Sequence, residues 1–306
     1  MILLIGPHDD PHVKLVENAV QKLGFDALTL PLTGTGSSAF DWSADSKATG
    51  LTLQLNGKPR QISAVFVRHP GSGIDAPSRN QQHYTATWRN CVVSLVMAYP
   101  DVRYLNRASV DRPLHKLLVL ESASRLGWAI PRTRVTNDLK SLRGLADDNF
   151  IVKPVLGGLA AVALPDALNR FPREVQVTAV PAIVQERLRG PEYRVYCIGN
   201  TIVPLMIKCN PSLVDYREAQ TKNEVLVETE VSLPKKTLTK VRQLGAHFGL
   251  DFFAVDLKTD KEKGVVHFLD LNEEPYFDEV DNVVDGKISK AIAGWLTQPH
   301  RGAKTT

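Results

Sequence analysis

Cysteine is scarce in this chain: Cys91, Cys197 and Cys209 are its three thiols among 306 residues. An odd number without CxxC spacing argues against a disulfide framework and against a zinc site. A reducing cytoplasm is therefore the expected compartment. Long apolar runs are missing too, and none reaches the length needed to span a bilayer. The opening MILLIGPHDD lacks a basic segment and its apolar run is short. It reads as a first core strand rather than a signal peptide. Charge of one sign does not dominate: 37 Lys and Arg stand against 33 Asp and Glu, a formal net charge of +4. That balance makes no case for nucleic acid or a membrane as partner. No GxSxG, Walker-type or GxGxxG motif occurs, and no internal repeat or low-complexity block.

What is present is ordinary globular material, 43% hydrophobic and 23% charged, in a chain long enough for two or three packed subdomains. Residues 2 to 5, ILLI, predict a buried strand. Val13 to Leu23 carries helical apolar spacing ended by Gly24, and Phe25 to Leu30 predicts a second strand stopped by Pro31. This βαβ opening implies a parallel α/β unit. A hairpin around Asn56-Gly57, a strand at Ala64 to Val67 and a helix from His83 to Tyr99 follow. A boundary is expected near Pro100 to Pro113. Beyond it come a helix at Leu114 to Leu126, strands FIVKPV and PAIVQERL, and a hairpin from Tyr193 to Lys208 turning at Gly199-Asn200. Ser232 is the expected cap of a helix reaching Phe248, and Lys287 to Leu296 is the last helix.

The most telling segment is FFAVDLKTD, 252 to 260, answered by VVHFLDLNEEP, 265 to 275. Alternation puts Phe252, Ala254 and Asp256 on one face, and Val266, Phe268, Asp270 and Asn272 on one face. If the turn at Thr259 to Gly264 closes a hairpin, Asp256 lies diagonal to Asp270, about 7–8 Å away. Two carboxylates and an amide oxygen at the end of an apolar sheet suit a hard cation such as magnesium.

Other residues admit two readings each. Lys153, inside an apolar strand, either meets an anion such as phosphate or sits on an edge strand in solvent, which Pro154 favours. Gly157-Gly158 is either a loop approaching phosphates or a plain turn. Glu192 and Arg194 share a strand face, fit for a ribose and a phosphoryl group or for a cross-strand salt bridge. Simple pairing about Gly199-Asn200 puts Lys208 opposite to Arg194 unless Pro204 marks a bulge. His8, Asp9, Asp10 and His12 lack a metal-ligand spacing, and Asp9 or Asp10 serves as a helix cap. Arg68, at the C-terminal end of the Ala64 to Val67 strand, is placed to bind an acceptor carboxylate. Glu273, Glu274, Asp278, Glu279 and Asp281 meet either a basic substrate or solvent.

Read in order, Lys116 on its helix, GWAIPRTRVTND, FIVKPV, VQERL, EYRVYCIG, FFAVDL and FLDLNEEP resemble the ATP-grasp superfamily. The likeness is greatest to the branch with ribosomal-protein glutamate ligases and the graspetide maturases, which close ester or amide macrocycles in ribosomal peptides. It runs from about Tyr104 to Leu296. It implies an α/β chain with a pre-ATP-grasp α/β domain at 1–103, a central lid subdomain at 104–190, a C-terminal ATP-grasp subdomain at 191–297 and a tail at 298–306. It implies that Lys116 and Lys153 hold ATP phosphates, with Lys208 also assigned to the nucleotide. Gln185, Glu186, Arg187 and Leu188 would form the adenine hinge, and Glu192 would meet the ribose. Arg194 and Arg217, the latter in DYR, would touch the transferred phosphate or the substrate, and Asp256, Asp270 and Asn272 would bind Mg2+. Three departures stand out: Asp270 replaces the usual Glu, the lid loop is reduced to Gly157-Gly158, and Glu-Glu-Pro follows Asn272.

The implied reaction is ATP-dependent carboxylate–amine or carboxylate–hydroxyl ligation through an acyl phosphate, on a peptide or small carboxylate substrate. The rivals are a small-molecule ligase of glutathione-synthetase type and a nucleotide-binding module that has lost ligation. Oligomeric state stays open between monomer and homodimer.

Overall fold

The structure, a computed structural model, describes residues 1–6, 9–31, 40–43, 50–55, 57–68, 79–107, 114–145, 147–156, 159–210, 212–217, 225–260, 262 and 264–298. Gly157-Gly158 and His8 lie outside them.

The N-terminal unit begins with β1 (Ile2–Gly6), α1 (Pro11–Lys22) and β2 (Ala27–Pro31). Asp10 caps α1 by accepting from the backbone N–H groups of His12 and Val13, as sequence chemistry predicts. Gly24 supplies the positive φ, 80°, that lets the chain leave the helix. Strands β3 (Phe40–Asp41), β4 (Thr52–Leu55) and β5 (Lys58–Gln61) make a small antiparallel sheet. Strands β6 (Ala64–Val67) and β7 (Arg103–Leu105), on either side of helix α2 (Arg79–Ala98), complete a parallel sheet of order β2-β1-β6-β7. Val92, Leu95 and Val96 of α2 pack with Leu3, Ile5 and Val65 on one sheet face.

Helix α3 (Lys116–Arg125) precedes a second, antiparallel sheet. That sheet is built from β8 (Thr133–Asp138), β9 (Phe150–Pro154), β10 (Val162–Ala163) and β11 (Val177–Glu186), in the order β10-β9-β11-β8. Short helices α4 (Leu139–Arg143) and α5 (Leu164–Leu168) cover one face of it through Leu139, Leu142, Leu164 and Leu168. Although α3 falls in the segment assigned to the lid, it packs against the third sheet, burying Val119 and Ala123 there.

The third sheet has the order β14-β13-β12-β15-β16, with β12 (Glu192–Ile198), β13 (Thr201–Lys208), β14 (Leu226–Glu228), β15 (Phe252–Thr259) and β16 (Val266–Asn272). Helix α6 (Lys235–Phe248) covers one face. A Cβ on its Gly245 would stand 2.3 Å from the Phe253 ring, so the helix sits as close as glycine allows. Pro234, not Ser232, occupies the cap position, with no side-chain cap bond. Helices α7 (Asp278–Val283) and α8 (Lys287–Thr297) close the other face, and α8 packs on α1, joining the N-terminal unit to the rest.

Two registers decide the site. Strands β12 and β13 pair without interruption from Glu192↔Ile207 to Ile198↔Thr201, and Pro204 sits opposite Val195 with no bulge. Lys208 therefore faces away from Arg194. On β15 and β16 the register slips between Asp256 and Leu257, because Leu269 is an extra residue. That bulge corrects the simple alternation. Phe268 turns to the α6 side with Leu257, while Asp270 and Asn272 turn to the opposite face. Asp256 consequently stands directly across from Asp270 rather than diagonal to it.

Candidate active site

A cleft of about 1410 Å³ opens between the β8–β11 sheet and the third sheet. Lys116, Lys153, Gln185, Glu186, Arg187, Leu188, Glu192, Arg194, Arg217, Asp256, Asp270 and Asn272 all line it.

Lys153 projects from β9, an interior strand flanked by β10 and β11, which removes the edge-strand reading. Burial lowers the pKa of its ammonium, an effect that nearby Lys116 adds to and Asp270 opposes. A buried cation so destabilised is a ready partner for an anion. Lys116, at the first position of α3, contacts Asp270 through Nζ. Arg194 Nη1 donates to both oxygens of Asp256, at 2.9 and 3.2 Å. Burial raises the pKa of the Asp256 carboxyl and Asp270 adds to this, against the pull of Arg194. Arg194 itself is held above its ordinary range: burial opposes the charge most strongly of any single cause, but Asp256, Tyr196 and Tyr216 together outweigh it.

Among the described residues no group of three His, Cys, Asp or Glu side chains could hold a metal. The oxygen donors at Asp256, Asp270 and Asn272 still fit a hard cation that takes its remaining ligands from phosphates or water. Two carboxylates face each other on paired strands in a buried setting that disfavours their joint charge. The Asn272 side-chain oxygen accepts from the Glu274 backbone N–H at 2.9 Å, which fixes its orientation.

At the other end of the cleft, Gln185 is 1% exposed. Its Nε2 donates to Thr133 Oγ1 at 2.9 Å, while Oε1 has no hydrogen-bond partner. A buried acceptor left open costs about 1–3 kcal/mol, and a ligand donor would remove that penalty. Arg187 donates to the Ser212 carbonyl at 2.7 Å and ties the strand end to the 212–217 loop. In that loop Asp215 accepts from the Ala161 backbone N–H at 2.9 Å and from Arg217 Nη2 at 2.7 Å. The cross-strand salt-bridge reading holds for Arg194, and Glu192 also pairs, with Lys258 at 2.8 Å. Burial raises the Glu192 pKa in spite of that lysine.

Two expected residues are elsewhere. Lys208 pairs with Glu228 on β14 and does not line the cleft. Arg68 is 3% exposed and lies beneath the cleft floor. Its Nη1 donates to the carbonyls of Glu274 and Pro275 at 3.3 and 3.2 Å, and its guanidinium stacks on Tyr276. Of the first-turn cluster, Asp9 is exposed, while His12 is buried with Nδ1 on Asp10 and Nε2 3.2 Å from Asp278.

Sequence reasoning passed over Lys258 and Tyr196, both of which line the cleft. Each lies two residues beyond a residue already singled out, Asp256 and Arg194, so strand alternation carried the signal.

The smaller antiparallel sheet faces the larger one as in the ATP-grasp fold, and comparison with solved structures bears this fold out. A ligase of that fold from Chryseobacterium gregarium, associated with ribosomal-peptide modification and solved with ADP and a leader and core peptide, superimposes with a TM-score of 0.76 at 21% identity, covering 98% of each chain. ATP-grasp ligase PsnB, solved with a variant of its minimal precursor, Mg and ADP, gives 0.72 at 21% identity over 96% of this chain and 97% of that one. D-alanyl-alanine synthetase A from Vibrio cholerae gives 0.64 at 13% identity, over 97% of both. No protein-family model and no curated protein matches the chain. No helix among the described residues is long and apolar enough to cross a membrane.

Proposed function

We propose that the chain is an ATP-dependent ligase that joins a carboxylate to an amine or hydroxyl of a peptide substrate. The observation that carries this is the convergence of Lys116, Lys153, Arg194 and Arg217 on the Asp256–Asp270 pair in one cleft. A substrate carboxylate oxygen attacks the γ-phosphorus of ATP, the bond to the β-phosphate bridge breaks, and an acyl phosphate and ADP result. The amine or hydroxyl then attacks the acyl carbon and inorganic phosphate leaves. Such transfer needs positioning and charge neutralisation more than a protein nucleophile. Lys153 and Lys116 neutralise the phosphates, Arg194 and Arg217 meet the transferred group, and Glu192, held by Lys258, receives the ribose. Asp256, Asp270 and Asn272 would hold Mg2+, which offsets phosphate charge when bound. The open oxygen of Gln185 accepts from the adenine amino group, beside the Glu186–Leu188 hinge.

At about 1410 Å³ the cleft has room for a nucleotide and a second substrate together. The peptide-bound structures of similar fold favour a peptide over a small acid as that second substrate. Three unpaired thiols suit a reducing cytoplasm. The test is incubation with ATP, magnesium and pools of acidic peptides, following ADP release and loss of one water per bond by mass spectrometry. Nucleotide binding without turnover on peptide or amino-acid pools would instead support the binding-module reading.

A further inference from the structure

Arg194 is held from two sides, and only one of them is a carboxylate. Its Nη1 is taken by Asp256, and its Nε donates to the hydroxyl of Tyr196 at 3.0 Å. That hydroxyl in turn donates to the backbone carbonyl of Tyr276 at 2.6 Å. Tyr196 is 1% exposed and otherwise packed in an apolar cluster with Leu205, Ala254 and Phe277. A hydroxyl buried among such neighbours requires a partner, and here it has two. A planar guanidinium anchored at two nitrogens keeps one orientation. The Nη2 group then has no hydrogen-bond partner among the described residues. The far anchor is itself fixed, since Arg68 grips the Glu274 and Pro275 carbonyls beside it.

We infer that Tyr196 is a positioning residue, whose hydroxyl aims Arg194 Nη2 at the terminal phosphate of the bound nucleotide. This rests on the nucleotide reading of the cleft. Burial keeps the phenol protonated, so it remains a donor to Tyr276. Tyr196→Phe removes one oxygen and leaves the ring, whose centroid lies 5.4 Å from the Arg194 guanidinium carbon.

The test compares the affinity of the chain for AMPPNP and for ADP by calorimetry in magnesium buffer. Tyr196→Phe should lower the preference for AMPPNP over ADP by about tenfold, the weight of one hydrogen bond to a charged group, and leave ADP affinity unchanged. Tyr193→Phe, on the opposite face of β12, should leave both affinities alone. An unchanged preference in Tyr196→Phe overturns the inference, whatever happens to the melting temperature. A crystal structure of the wild-type chain with AMPPNP checks it separately: Arg194 Nε should stay on Tyr196, and an Nε released from it counts against the inference. If the wild-type chain binds neither nucleotide, the reading of the cleft falls, and this inference with it.

Discussion

Two buried arginines sit about one loop apart and do opposite things. Arg194 spends Nη1 on a carboxylate and Nε on a phenol and reaches the cleft with Nη2. Arg68 spends Nη1 on two backbone carbonyls and stays beneath the floor. Burial lowers the Arg68 pKa, with Asp10 only partly offsetting it, whereas Asp256, Tyr196 and Tyr216 together carry Arg194 above its usual range against burial. Position at the end of a parallel strand made Arg68 a fair candidate for an acceptor carboxylate. The chain instead uses it to hold the segment that follows Asn272. The partner, more than the place in the sheet, separates an arginine proposed to serve a ligand from one that holds a loop of the fold.

That contrast can be broken by substitution. Asp270→Ala should cut ADP formation by at least about a hundredfold, in line with losing a preorganised electrostatic group, as read by a coupled assay. Turnover close to wild type would remove Asp270 from the site. Arg68→Met should act on the fold: loss of about 1–3 kcal/mol in denaturant unfolding, since the Glu274 and Pro275 carbonyls lose their buried donor. AMPPNP affinity should survive below the transition. Unchanged stability with lost turnover would return Arg68 to the substrate. Gly190→Ala places a Cβ 2.2 Å from the Thr259 carbonyl oxygen. It should cost about 1–3 kcal/mol by overpacking, measured by thermal melt, and weaken nucleotide binding because it shifts the hinge. Lys208→Ala should do least. Its exposed pair with Glu228 is worth at most about 1 kcal/mol, and ADP formation should not change.

Much of this was legible in the sequence. The helix cap at Asp10, the helix end at Gly24, the turn at Gly199-Asn200 and the succession of strands along the chain all follow from local chemistry. The gathering of twelve of the fourteen candidate residues around one cleft matches what the ATP-grasp resemblance implied, which local chemistry alone did not. What escaped was set by tertiary packing. The extra residue at Leu269 has no signature in FLDLNEEP, because Phe268 and Leu269 are both apolar and either could face inward. Lys153 needed knowledge that β10 covers its strand, and β10 is only Val162–Ala163. Arg68 needed the position of a loop more than two hundred residues away.

The central claim is that Lys153, with the cations around it, holds nucleotide phosphates. Calorimetric titration of AMPPNP into the wild-type chain and into Lys153→Met, in magnesium buffer, tests it most directly. The account requires one equivalent bound by the wild type and an affinity at least about tenfold weaker in the variant, the cost of one charge-assisted contact. Equal affinities, or no binding to the wild type, would contradict it.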